Sequence, residues 1–127
     1  MKLSTYSADQ VYSLLEGIET PKHLHSKPTG LEQDEYIVVN SLPVPAGVMQ
    51  GTYVNVNCHA KDIRATNMTG IPNRSKIDAM ANAALSILEK VTLTDMLVDF
   101  EKSELFREEQ FDEHYMNLRF KVNIINY

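Results

Sequence analysis

A single cysteine, Cys58, stands in 127 residues, so no intrachain disulfide can form and a small bridge-held secreted scaffold is excluded. Long apolar runs are missing as well. No stretch approaches the ~18 apolar residues of a membrane span. The opening MKLSTYSADQVYSLL lacks the apolar segment of a secretory leader. These absences predict a soluble, cytoplasmic chain, in which the sequon Asn67-Met68-Thr69 carries no meaning. There are no internal repeats and no low-complexity tracts. Positive charge is scarce: 12 Lys and Arg against 17 Asp and Glu give a net charge of −5. That balance argues against a protein built to hold nucleic acid or an anionic membrane, although a local basic patch is compatible with it. No Gly-Lys-Ser/Thr follows the glycines of PAGVMQGT, so they do not make a phosphate loop.

What is there suits one globular domain: 43% hydrophobic and 23% charged residues, in a chain long enough for one ordinary core. Val11, Leu14, Leu15 and Ile18 fall at helical spacing and predict an amphipathic helix over 8–18. Ser7 and Gln10 are placed as a capping box, and Gly17 and Pro21 stop the helix. Residues 20–34, with two prolines and a glycine, predict a loop. EYIVVNS (35–41) and TYVNVNCHA (52–60) predict an antiparallel strand pair around the loop LPVPAGVMQG. In the second strand Val54, Val56 and Cys58 face one way, and Tyr53, Asn55, Asn57 and His59 the other. A loop over 61–73 leads to the strongest helix, 74–90, capped by Asn73 or Ser75. Its stripe is Ile77, Met80, Ala81, Ala84, Leu85, Leu88 and Val91. A strand over 92–104 carries Met96, Val98 and Phe100 on one face. A charged connection (105–113) precedes a last strand, 114–126. The order α-β-β-α-β-β predicts an α+β fold: one mainly antiparallel sheet with both helices on one face. Leu118, Phe120, Val122 and Ile124 then lie beneath the helices, with Arg119 and Lys121 on the opposite face.

Few residues suggest chemistry. His23 and His25 resemble two metal ligands, but Cys58, His59 and His114 stand at no spacing that completes a site, so no metal and no cofactor are expected. Cys58 and His59 are adjacent on a strand and point to opposite faces, so they cannot work as nucleophile and base. Cys58 reads instead as a buried apolar residue. The acids Asp95, Asp99, Glu101, Glu104, Glu108, Glu109, Asp112 and Glu113 are spread over a strand and a hairpin. They read as a solvated surface rather than as an acid–base pair, and no catalysis is expected. The polar sheet face interleaves Tyr53, Asn55, Asn57 and His59 with Tyr115, Asn117, Arg119 and Lys121. Such a face suits a protein partner or, as an alternative reading, single-stranded RNA.

The layout resembles the tail-terminator (tail-completion) proteins of long-tailed bacteriophages and prophages. The resemblance runs through the N-terminal helix and proline-bearing loop, EYIVVNS with TYVNVNCHAKD, the helix NRSKIDAMANAALSILE, and the closing hairpin that ends EHYMNLRFKVNII. A related head–tail neck component has the same layout. The resemblance implies a non-enzymatic virion protein that assembles in the host bacterial cytoplasm. It implies a homo-oligomeric ring, usually a hexamer, that caps the tail tube and meets the head-side connector. No membrane is implied, and nucleic acid is not an expected partner.

Charge distribution suggests how copies would meet. From Glu89 to Glu113 nine acids face three bases, for −6; from Lys61 to Lys76 four bases face one acid, for +3. Opposite patches suit a head-to-tail contact that closes a ring. The expected interface residues are Arg64, Arg74 and Lys76 on one side and Glu101, Glu104, Glu108 and Glu109 on the other. Arg119 and Lys121 contribute from the sheet.

Overall fold

The computed structural model describes residues 4–42, 51–65, 68–89 and 96–124. The elements run α1 (Ser4–Leu14), β1 (Lys22–Leu24), β2 (Glu35–Ser41), β3 (Gly51–Lys61), β4 (Ile63–Ala65) and β5 (Met68–Ile71). They continue with α2 (Arg74–Leu88), β6 (Met96–Glu108) and β7 (Glu113–Ile124). Five strands make one sheet in the order β1-β2-β3-β7-β6, and β4 with β5 makes a separate two-stranded hairpin. The sheet is antiparallel except for β1, which runs parallel to β2.

Both helices pack on one face of this sheet, as the apolar patterning requires. Ala8, Val11 and Leu15 from the α1 region and Ile77, Met80, Ala81, Ala84 and Leu88 from α2 share one buried cluster. Ile37, Val39, Val54, Val56, Cys58, Ala60, Met96, Leu118, Phe120 and Val122 complete it from the sheet. Each full burial of a Val, Leu, Ile or Phe side chain contributes about 1.5–3 kcal/mol. The alanines of α2 let the helix sit close to the strands. Asn73 caps α2, its side-chain oxygen accepting from the Lys76 N–H at 3.3 Å.

The structure departs from the sequence reading in several places, and the first helix ends at Leu14 rather than at Ile18. Ser7 lies buried inside α1, which begins at Ser4, rather than capping it, and Tyr6 of the preceding turn packs against the core. The loop expected over 20–34 contains β1, fixed at its ends by Ile37 N–H to Pro21 O (2.8 Å) and His25 N–H to Val39 O (2.7 Å). The loop expected over 61–73 contains β4 and β5. The expected connection 105–113 is mostly strand: β6 continues to Glu108, and a short 3-10 turn over Glu109–Phe111 leads to Asp112 in the left-handed region (φ 49°). Strands of three or four residues are too short to show alternation, which is why β1, β4 and β5 leave no pattern.

Strand β6 forms an edge of the sheet and carries a bulge. Phe100 pairs with Phe120 and Lys102 with Arg119, so Glu101 has no opposite number. Phe100 lies on the face of Met96 and Val98, and its ring meets Phe120 (centroids 5.5 Å apart), but it stays 40% exposed because no strand among the described residues covers its outer flank. The expected positions Lys90, Val91 and Asp95, the loop 43–50 and the Ile124 side chain lie outside the described residues.

Candidate functional site

Strand register builds the face turned away from the helices. The pairing Tyr36–His59–Tyr115–Phe106 runs across β2, β3, β7 and β6 as one row. Consecutive rings stack, with centroids 4.4 Å (Tyr36–His59), 4.6 Å (His59–Tyr115) and 5.3 Å (Tyr115–Phe106) apart. The neighbouring rows, which include Asn57–Asn117 and Asn40–Asn55–Arg119, are held by amides. Asn117 Nδ2 donates to Asn57 Oδ1 (2.7 Å) and to Asn55 Oδ1 (3.1 Å); Asn55 Nδ2 donates to Asn40 Oδ1 (3.0 Å). Arg119 Nε reaches Asn55 Oδ1 at 3.4 Å, and its guanidinium lies 5.9 Å from the Tyr53 ring. Asn55 and Asn117 are buried, so these asparagines, poor strand formers on their own, are held by one another.

Glu113 anchors the aromatic row. Its carboxylate is buried, yet it accepts from the Tyr36 hydroxyl and sits 2.9 Å from His59 Nδ1. Burial alone pushes its pKa up. The hydrogen bonds from His59 and Tyr36 outweigh this, helped by the charges of His59 and Lys27, and the net shift is below the ordinary carboxylate range. Tyr36 moves the other way, raised by burial and then by its bond to Glu113. Tyr115 is also raised, by burial and then by Glu108 and Glu104.

Beside this row lies a cleft of about 480 Å³. The sheet contributes Tyr36, Val38, His59 and Glu113; residues 25–32 form one wall, and Glu108 and Phe111 another. Lys27 reaches into it, its Nζ 4.5 Å from the Tyr36 ring centroid and 5.8 Å from that of Phe111. Since His59 stacks on one face of Tyr36, the ammonium takes the other.

The histidines and the cysteine weighed as metal ligands are dispersed. His23 Nε2 lies 2.6 Å from Gln33 Oε1, and His25 is in a turn with φ 73°. Cys58 is buried on the helix side, where burial pushes its thiol up to about 12. His59 is on the far face. His114 Nδ1 pairs with Asp62 Oδ1 at 2.6 Å, on the helix side of the sheet. Among the described residues, no three His, Cys, Asp or Glu side chains converge as metal ligands do.

The charged candidates fall in several places. Arg64 on β4 and Lys76 on α2 are exposed, and exposed Arg74 lies 3.6 Å from Asp78. Glu101, Glu104 and Glu109 are exposed and Glu108 half-buried. Lys102 is 3.9 Å from Glu104, and Arg107 is 3.2 Å from Glu109. Arg119 and Lys121 are half-buried on the amide face, with Lys121 opposite Asp99. The basic and acidic segments also touch within one copy: Arg107 of β6 lies 4.0 Å from Asp62 and packs on Gly70 of β5. Sequence reasoning passed over Tyr36, Lys27, Phe111 and the special place of Glu113. For Glu113 a signal existed: the alternation 121, 119, 117, 115 extends to it, on the face of His59 and Tyr115.

No family model matches this chain, and no curated protein matches it. Among solved structures, the fold is similar to that of a chain in the virion of a native gene transfer agent particle. The TM-score is 0.53 at 14% identity, over 97% of this chain and 92% of that one.

Proposed function

We propose that the chain is a structural subunit of a phage-like virion: a ring-forming tail terminator that caps the tail tube and joins it to the head-side connector. The observation that carries the proposal is the similarity of fold to a gene transfer agent virion chain, which runs through nearly the whole of both chains. The edge of β6, unpaired on its outer side among the described residues, adds support. It leaves Leu97, Phe100 and Phe106 between 38% and 53% exposed, a surface suited to a neighbouring subunit. The buried polar groups fit a structural part too, since the Tyr36–His59–Glu113 set is locked in stacking and hydrogen bonds. The same observation weighs against single-stranded RNA on this face, because the rings that would stack bases already stack on one another.

The subunits close head to tail in a homo-oligomer, a hexamer on this reading, first in the host cytoplasm and then in the particle. Arg64, Arg74 and Lys76 of one copy face Glu101, Glu104, Glu108 and Glu109 of the next. Analytical ultracentrifugation with negative-stain microscopy tests the ring directly. A closed ring that loosens as salt rises is expected, since exposed charge pairs are screened beyond about 8 Å at physiological ionic strength. Reversing Arg64 and Arg74 to Glu weakens assembly, and adding Glu108→Lys with Glu109→Lys partly restores it. A monomer at every concentration and salt, with no capping of tail tubes, would refute the ring.

A further inference from the structure

The cleft beside the aromatic row is built as a cation receptor, and it holds a cation from its own chain. Three observations define it. Its aromatic surfaces are the free face of Tyr36 and the ring of Phe111, both close to the Lys27 ammonium. Its acids are Glu113, buried at the base, Glu108, and Glu32 on the wall formed by residues 25–32, three carboxylates against the two lysines of the lining, Lys27 and Lys61. About 480 Å³ of space stands open beside Lys27, room for a further side chain. The wall that carries Lys27 is also loosely tied. Across residues 27–32 the one backbone hydrogen bond besides those of helices and strands, among the described residues, is internal, Leu31 N–H to Pro28 O at 3.3 Å. Lys27 can therefore withdraw without disturbing the sheet.

We propose that this cleft binds a basic side chain, arginine or lysine, presented by another polypeptide, and that Lys27 is the internal competitor that holds the place until it arrives. A guanidinium suits the site well. Its plane stacks on an aromatic face while its N–H groups reach carboxylates, and it is more weakly hydrated than an ammonium. An acidic group is disfavoured, because Glu108 and Glu113 flank the rings. The site does not require the ring described above, since one copy contains every group named.

The test uses the full chain, isotopically labelled and titrated with the tripeptides Gly-Arg-Gly, Gly-Lys-Gly and Gly-Glu-Gly, and read by NMR. Saturable shifts at Tyr36, His59 and Phe111 are expected with the two basic peptides. With Gly-Glu-Gly none is expected. Lys27→Ala removes the competitor. If Lys27 occupies the cage nine-tenths of the time, affinity for Gly-Arg-Gly rises about tenfold. Lys102→Ala, an exposed lysine of β6 that does not line the cleft, changes net charge equally and leaves affinity unchanged. Phe111→Ala, at an exposed turn, abolishes the shifts without unfolding the chain. Absence of saturable binding by folded wild type and folded Lys27→Ala overturns the proposal. So does equal binding of Gly-Glu-Gly, or an equal gain from Lys102→Ala.

Discussion

Replacing Glu113 by glutamine removes one charge and almost no volume from the most buried acid described, which is 1% exposed. The carboxylate receives the Tyr36 hydroxyl and lies 2.9 Å from His59 Nδ1. A hydrogen bond to a charged group contributes about 1.5–3 kcal/mol, and the glutamine oxygen retains part of each bond. Near neutral pH, E113Q should therefore cost about 2–4 kcal/mol. The pH dependence follows from the direction of the shift. The folded-state pKa of Glu113 is depressed, so its stabilisation is complete above the unfolded value of about 4.3 and is lost as pH falls through the lower folded value. The gap between wild type and E113Q should be widest near neutrality and should narrow below about pH 4. Urea denaturation at a series of pH values, with stability extrapolated linearly to water, measures it. A gap under about 0.5 kcal/mol at neutral pH would show that the charge is not used. A gap constant down to acid pH would show that the depressed pKa is wrong. Tyr36→Phe, which removes one of the two donors, should by itself cost roughly half as much as E113Q.

Three further outcomes check other parts of the structure. Leu118→Asp places an unpaired charge under both helices at a site 1% exposed, so the domain should lose its cooperative melt. Gly70→Ala should cost about 1–3 kcal/mol, because Gly70 has φ +74° and an added Cβ would lie 3.0 Å from the Arg107 guanidinium. Adding Arg107→Ala should relieve the contact but not the backbone strain, so only part of the loss returns. Melting temperature should not move with zinc or a chelator, since a ligand bound to the folded state would raise it by mass action.

The helix-side core was legible because it is periodic. The α2 positions Ile77, Met80, Ala81, Ala84 and Leu88 and the alternating Val54, Val56 and Cys58 are buried as their spacing requires. The polar face was legible only in part. Alternation placed Tyr53, Asn55, Asn57 and His59 together with Tyr115, Asn117 and Arg119, and the register confirms that grouping. What alternation cannot supply is which rings touch. That depends on the offset of β2 against β3 and of β6 against β7, and on a bulge that no local signal marks. Hence Tyr36 and Phe106 went unnoticed, and Glu113 was counted with the solvated acids. The cleft escaped for another reason: residues 25–32 are aperiodic, and only the fold brings Lys27 over Tyr36.

The unmatched Glu101 has a consequence for solubility. An uninterrupted 13-residue edge bearing Leu97, Phe100 and Phe106 would be a flat template on which identical chains could stack without limit. One extra residue bends that edge, adds local twist, and shifts the inward and outward positions of everything after it. Chains can then meet along β6 only in a geometry that accepts the bend. Deleting Glu101 would straighten the edge and turn the segment from Lys102 to Glu108 onto the wrong faces. The bulge thus works against indefinite edge-to-edge stacking of identical chains.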